Sequence, residues 1–407
     1  MLTYVICGYK IVFVIQHVEL EADVEIAGYD VVTQKMISIT VSDGRVSSIR
    51  HVDAPPDSQL TYLCRGFIDL QVNGYRGFDY SREGLTEKDI GQVVWYLAQS
   101  GTTRHLATII TSPRERIVAN LKTIRNARRN SPLVAWAVPF VHIEGPFISS
   151  SDGPRGAHDA SFIRDPNYDE FCEWQAASGG IIKIVTLAPE RPGAIDFISR
   201  VSNEGIIVAL GHSEASAEQI REAVAAGARM STHLGNGSHA LLPRLRNYIW
   251  EQLAADELTA SFICDGFHLP DAVIKVVSRT KPLEKLVMVS DVGALGGCTP
   301  GVHYWGSTKV EVHDDGHLSV AGTPYLAGAG HLLNRCIGCF CRATGEGLCR
   351  ALELCITNPS TLVGLDHTSI SLSEGDEVNV VQFTVAAFGI GIDVKQTIGP
   401  MGMMYEC

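Results

Sequence analysis

Five residues of this 407-residue sequence have the types and positions to do chemistry: Glu144, His212, His233, His268 and Asp291. Glu144, His212, His233 and Asp291 close short apolar runs, and His268 lies just past another. One carboxylate with two imidazoles suits a borderline divalent ion such as Zn²⁺ and leaves positions open for water and substrate. Glu144, His212 and His233 are therefore the expected ligands of one divalent metal ion, Zn first, with Fe, Co or Mn as alternatives. Such an ion makes its water more acidic and polarises a carbonyl. Asp291, outside that set, is free to take a proton from water and return it to a leaving nitrogen. His268 can donate to the carbonyl oxygen as negative charge develops there. The set predicts hydrolysis of an amide or related bond. Taken singly, each residue reads as a hydrogen-bonded strand-end histidine or a capping aspartate. Their recurrence at the same end of successive runs is what points to function.

Some scaffold must bring the five together. The apolar runs are "GFIDLQV", "TTRHLATII", "AVPFVHIEG", "IIKIVTLAP", "GIIVALGHS", "ARMSTHLGN", "LTASFICDG" and "KLVMVSDVG". Between them lie helix-period segments such as "TEKDIGQVVWYLAQSG", "SPRERIVANLKTIRNARRN" and "SAEQIREAVAAGA". The first two of these open on Thr or Ser with an acidic residue in the first turn. Eight such units predict an α/β fold, a (β/α)8 TIM barrel rather than a doubly wound sheet, with the active site at the C-terminal ends of its strands. "GEGLCRALELCITNPSTLVGL" reads as helices packed beside the barrel. Near the two ends, "DVEIAGYDVV", "MISITVSDGRVSSI" and "ISLSEGDEVNVVQFTV" read as β-runs divided by turn signals. They predict a small β-sandwich built from residues 1–64 and 368–407, flanking a barrel of residues 65–367.

Composition narrows the partners. With 45% hydrophobic and 19% charged residues the chain can bury a large core. A net charge of -12 argues against a general nucleic-acid or anionic-membrane surface, so an anionic small molecule would need a local basic pocket. Eleven scattered cysteines fit reduced thiols in a cytoplasmic protein better than a disulfide framework. The tight cluster of Cys336, Cys339 and Cys341 reads as helix-face cysteines. "IVFVI" at 11–15 is too short to span a bilayer, and no small-residue cleavage site follows it.

"GFIDLQVNG", "GTT", "HIEGPF", "GAH", "VTLAPE", "GHS", "THLGN", "DGFH", "VSD" and "LAG" together resemble the amidohydrolase superfamily. Within it the sequence is similar to the N-acetylglucosamine-6-phosphate deacetylase family over nearly its whole length. The resemblance implies a barrel plus β-sandwich, usually a homodimer, that removes acetate from the 2-acetamido group of a phosphorylated hexosamine. It also implies metal on Glu144, His212 and His233 and the catalytic carboxylate on Asp291. By motif it implies sugar and acetamide contacts at Ala157 and His158, at Asn236 and Gly237, at Asp265, Gly266, Phe267 and His268, and at Leu326, Ala327 and Gly328. Arg244 aligns with a family arginine that contacts the phosphate, a task suited to a planar guanidinium. Arg246 and His239 share its loop and could assist.

The departures bear on substrate shape. The family reads T-H-L-[FY]-N-A-M, whereas this chain reads "THLGNGS", with glycine for the aromatic and Gly-Ser for Ala-Met. "GFIDLQVNG" carries Gln71 and Asn73 where other amidohydrolases have a histidine pair, which implies one metal rather than two. Gln71 is the expected site contact of the two. Lys183 reads as structural rather than as a bridging ligand, and His105 as a packing residue. The alternatives are a related amidohydrolase that deacylates another N-acyl compound, phosphorylated or not, and a non-catalytic sugar-phosphate-binding barrel.

Overall fold

The computed structural model describes residues 3–6, 9–12, 23–53, 60–306, 308–323, 325–366, 369–386 and 391–407. Eight parallel strands coincide with the eight apolar runs: β1 (Phe67–Val72), β2 (Thr102–Ile110), β3 (Val141–Glu144), β4 (Ile182–Leu187), β5 (Ile207–Leu210), β6 (Met230–Ser231), β7 (Thr259–Ile263) and β8 (Leu286–Val289). Each pairs with its sequence neighbour from β1 to β8. Such strands are covered on both faces, one by helices and one by the barrel interior, which is why they read as nearly continuous apolar runs. Ile68, Leu70, Leu106, Ile184, Ala209, Met230, Ile263 and Val287 form one of the resulting core clusters.

The seam between β8 and β1 is closed partly by a side chain. Asn73 donates its backbone N–H to Val292 O at 3.0 Å, and the Asp69 carboxylate accepts the backbone N–H of Ser290 at 3.2 Å and that of Gln71 at 3.1 Å. Asp69 is fully buried, and burial pushes its carboxyl up to about 7 against the pull of those donors. The aspartate thus fixes the backbone of one site position, Gln71, and of the residue before another, Asp291.

The outer helices follow their capping signals with one exception. Thr86 and Asp89 form a reciprocal capping box on Glu87–Ala98, and Ser216 and Gln219 do so on Ala217–Ala226. The helix Arg114–Asn130 is preceded by Pro113, with no side-chain cap from Ser112. Helix Leu333–Thr344 carries Cys336 and Cys339 on its buried face and Cys341 half-buried, packed in the cluster that holds Phe262 and Phe340. Helices Leu348–Glu353 and Thr357–Val363 follow it. Among the described residues no helix is long and apolar enough to cross a membrane.

The chain ends meet in a seven-stranded sheet ordered Gly402–Glu406, Ile392–Gly399, Val380–Val385, Thr61–Arg65, Val24–Asp30, Met36–Ser42, Arg45–His51. Strands this far apart in one flat sheet cannot touch. Here the sheet curls, so that Val46 N–H donates to Asp376 O at 3.0 Å and Val378 N–H to Gly44 O at 2.9 Å. The curl encloses Ile26, Ile39, Val41, Val46, Leu63, Val380 and Ile398. Glu377 ties this sheet to the barrel by accepting from Arg104 at 2.8 Å and from Trp136 Nε1 at 2.7 Å. A separate hairpin pairs Thr3–Ile6 with Tyr9–Val12. Residues 13–15 of "IVFVI" and 54–58 of the loop "DAPPDS" lie outside the described residues.

One element is not announced by the apolar pattern. Between β8 and the closing helices, Gly301–Trp305, Thr308–Val312 and Leu318–Val320 form a three-stranded antiparallel sheet. Its Trp305 reaches the mouth of the barrel.

Candidate active site

Three strand ends converge on one point. His212 Nε2 lies 3.1 Å and His233 Nε2 3.0 Å from Glu144 Oε1, and the two Nε2 atoms are 3.0 Å apart. All three side chains are buried. His212 Nδ1 is 2.8 Å from the Pro154 carbonyl oxygen, which can only accept. Nδ1 therefore carries a hydrogen, and in the neutral ring Nε2 turns its lone pair toward Glu144. Burial disfavours the Glu144 carboxylate, but His212 and His233 more than offset it and hold its pKa well below the usual range. Two imidazole Nε2 atoms converging on a carboxylate oxygen are a donor set that fits a divalent cation, and this is the cluster the described residues offer for one.

The backbone reaches this geometry by a route that sequence does not display. His212 (φ 51), His233 (φ 30) and Asp291 (φ 51) all adopt positive φ, directly after β5, β6 and β8. Such conformations cost a non-glycine residue of order 1–3 kcal/mol each and collect at functional sites. Gly237, at φ 57, completes the loop after His233, where a Cβ would lie 2.8 Å from His212 Nδ1. Glycine at that position is thus demanded by close approach to a site imidazole.

The first strand and the residue just past it hold both site carboxylates. Gln71 Nε2 donates to Glu144 Oε1 at 2.9 Å, and Asn73 Nδ2 donates to Asp291 Oδ1 at 2.8 Å. Asp291 is fully buried; burial, then the nearby Glu144 charge, pushes its carboxyl up to about 6 while Asn73 pulls the other way. Gln71 Oε1, Asn73 Oδ1, His233 Nδ1 and Asn236 Nδ2 are buried without a protein partner. Unsatisfied polar atoms are uncommon in a core, and these four gather at one place.

His268 is oriented by Asp265, whose Oδ2 lies 2.8 Å from His268 Nδ1. Asp265 Oδ1 accepts the backbone N–H groups of Phe267 at 2.9 Å and His268 at 3.0 Å. These bonds outweigh burial and bring the Asp265 carboxyl down to about 2. His158 Nδ1 contacts Thr111 Oγ1 at 2.7 Å, and its ring packs edge-on to His212 at 4.3 Å. Burial, then His212, drops the His158 pKa to about 3, so the ring is neutral.

A cavity of about 170 Å³ opens on this cluster. Of the residues singled out in the sequence, Glu144, His212, His233, His268 and Asp291 line it, as do Ala157, His158, Asn236, Gly237, Leu326 and Gly328. Others stand elsewhere. Gln71 reaches the site through Glu144. Asp265 lies behind His268, and Phe267 is stacked against His317 and His331 with Gly266 beside it in the loop. Ala327 faces a neighbouring cavity. Arg244 is exposed and outside the cavity lining, because the loop that carries it runs over the surface. His239 contacts Tyr248 and Glu214, also away from the site. Lys183 sits at the start of β4, the end of the barrel opposite the site, with Nζ 5.7 Å from the Phe140 ring centroid. His105 bonds Tyr80 at 2.7 Å in the interior.

Two residues gained in importance. Asn73 contacts Asp291 directly, and only its spacing two residues from Gln71 on the same strand face could have suggested it. Trp305 lines the cavity and donates Nε1–H to Asp79 Oδ2 at 2.9 Å. It lies on the inserted sheet, and no motif marks it.

Comparison with known proteins places this site in context. No protein-family model matches the chain. The N-acetylglucosamine-6-phosphate deacetylase of Bos taurus is 35% identical over 347 residues, 82% of this chain and 82% of that protein. That of Bacillus subtilis (strain 168) is 30% identical over 361 residues, 84% of this chain and 89% of that protein. A variant of the N-acetyl-D-glucosamine-6-phosphate deacetylase of Mycobacterium smegmatis, solved with N-acetyl-D-glucosamine-6-phosphate, has the same fold. Its TM-score is 0.82 at 23% identity, covering 94% of this chain and 99% of that one. By sequence over most of its length and by fold, the chain belongs to the N-acetylglucosamine-6-phosphate deacetylase family of the amidohydrolase superfamily.

Proposed function

We propose that this protein hydrolyses the 2-acetamido group of N-acetylglucosamine 6-phosphate, or of an epimer, to the amino sugar phosphate and acetate. The observation that carries this reading is the buried Glu144, His212 and His233 cluster next to a buried Asp291, in a chain of this family. One divalent ion held by the three residues, Zn²⁺ in preference to Fe²⁺, Co²⁺ or Mn²⁺, supplies Lewis acidity and activates water.

The remaining work falls to side chains. Asn73 occupies Asp291 Oδ1, which leaves Oδ2 to take the proton of the attacking water and pass it to the leaving nitrogen. A carboxyl near pKa 6 is ionised at neutral pH yet basic enough for that task. With Nδ1–H held by Asp265, His268 turns Nε2 toward the substrate oxygen and donates there when the ring carries both protons, while Asn236 lines the path of the sugar and neutral His158 lines the acyl side.

The exposed Leu241 and Leu245 flank Arg244, at 91% and 80% accessibility. We place this loop in a homodimer interface, where Arg244 meets the phosphate. Free thiols at all ten described cysteines accord with a cytoplasmic enzyme. Arg244's position outside the cavity also favours a second reading, an amidohydrolase acting on an unphosphorylated N-acyl sugar.

Acetate release from N-acetylglucosamine 6-phosphate and from the free sugar, by wild type and Arg244→Ala with defined metals, decides between them. The first reading predicts turnover of the phosphate ester and its selective loss in Arg244→Ala. No release at millimolar substrate removes it, and equal turnover of both sugars selects the second.

A further inference from the structure

Beside the site lies a second cavity of about 690 Å³. The two share Ile110, Gly156, Ala157, His158 and Trp305. The larger one runs beneath the inserted sheet, where Val310, Val320, Ala327 and Phe162 give it apolar walls. Its charged groups balance, with Arg82, Arg116 and Arg155 against Asp79, Glu83 and Asp159. It therefore carries no net formal charge.

An amide substrate has two halves, and the site has two sides. On the deacetylase reading above, on which this inference rests, the sugar and its phosphate lie toward Asn236 and Gly237, beyond β6. The acyl half must then point across the scissile bond toward Ile110, His158 and Trp305. The same three residues also line the second cavity.

We propose that this cavity is an acyl pocket, admitting N-acyl groups longer than acetyl on the same amino sugar phosphate. A site that ended just beyond a methyl would have to displace packed side chains for every added methylene. Here the added carbons enter existing space and can lie against its apolar side, formed by Phe162, Val310, Val320 and Ala327. The reaction itself is unchanged: the water oxygen bonds to the acyl carbon, the C–N bond breaks, and the nitrogen takes up a proton. The longer carboxylate leaves in place of acetate, and nothing is oxidised or reduced.

The test compares kcat/KM for N-acetyl-, N-propanoyl- and N-butanoylglucosamine 6-phosphate, using wild type, Thr308→Trp and Val320→Phe. Both substituted positions line the second cavity but not the site, and both are half-buried. The pocket predicts that wild type handles the butanoyl compound within about tenfold of the acetyl one, where a closed site discriminates about 10–200-fold per methylene. It also predicts that either variant loses butanoyl turnover at least about tenfold while acetyl turnover stays within about twofold. A wild-type loss beyond about a hundredfold on the butanoyl compound alone overturns the pocket. So does a parallel loss of both activities in variants whose thermal melting is normal, because the cavity then holds the sugar half. Failure of the N-acetyl compound itself sinks the deacetylase reading and the pocket with it.

Discussion

Replacing Asn73 by alanine should move the acid limb of the pH–rate profile. Asn73 Nδ2 makes the 2.8 Å hydrogen bond to Asp291 Oδ1, in a buried setting and to a carboxylate that is charged at neutral pH. A hydrogen bond to a charged group is worth about 1.5–3 kcal/mol. Because the bond favours the ionised form, its loss raises the pKa of Asp291, by about one to two at 1.36 kcal/mol each. Starting from about 6, the carboxyl then titrates near 7 to 8. Its ionised fraction at pH 7 falls from about 90% to between about 50% and 10%. The base form is the active one, so kcat/KM falls about two- to tenfold at pH 7 and recovers above about pH 8.5. A bound cation draws both wild type and variant toward lower pH and leaves the gap between them. The measurement is kcat/KM from pH 5 to 9 for both proteins, metal-loaded. An acid limb that stays in place in Asn73→Ala refutes the link between the first strand and the proton carrier.

Three further outcomes are expected. Metal analysis of purified protein should find about one divalent ion per chain, lost in His212→Ala, whereas two tightly held ions would contradict the amide-for-histidine interpretation of Gln71 and Asn73. Asp291→Asn should retain that ion but lose at least about a thousandfold in kcat, and near-normal turnover would remove Asp291 from proton transfer. Burial raises the Asp69 carboxyl to about 7, so its folded form holds a proton that the unfolded chain, near 3.8, gives up. Its contribution to stability is then full below about pH 4 and declines as pH rises through about 7. Asp69→Asn escapes this decline, so its melting temperature relative to wild type should climb between pH 5 and 8; a flat difference would show that Asp69 titrates normally.

The eight strands were legible because a strand buried on both faces has to be apolar along its length, and turn residues delimit each run. Glu144, His212, His233 and Asp291 were legible because the barrel places every strand end at one mouth. Asn73 was less so: an amide at a barrel strand can fill space or bind a carboxylate, and only the 2.8 Å contact decides. The inserted sheet of residues 301–320 was not legible, since its strands are three to five residues long and partly exposed, with too little alternation to register. Arg244 shows the limit of motif alignment. A motif carries a residue's order along the chain, but a surface loop decides which way it points. The curl of the terminal sheet rests on backbone bonds between Gly44–Val46 and Asp376–Val378, pairings more than 300 residues apart that no local pattern encodes.

The left-handed backbone at His212, His233 and Asp291 has a consequence for how this site persists through mutation. Substituting glycine, or at the histidines asparagine, would relieve strain and so tend to make the folded chain more stable. On the proposed mechanism each such change also deletes a ligand or the proton carrier. Folding and chemistry therefore pull these three positions in opposite directions, and the barrel alone gives no reason to keep them. Drift in a population freed from the need for activity should discard these side chains early and leave the strands beneath them intact. A relative with glycine at one of the three and an unaltered barrel would mark a lineage in which the reaction has been given up.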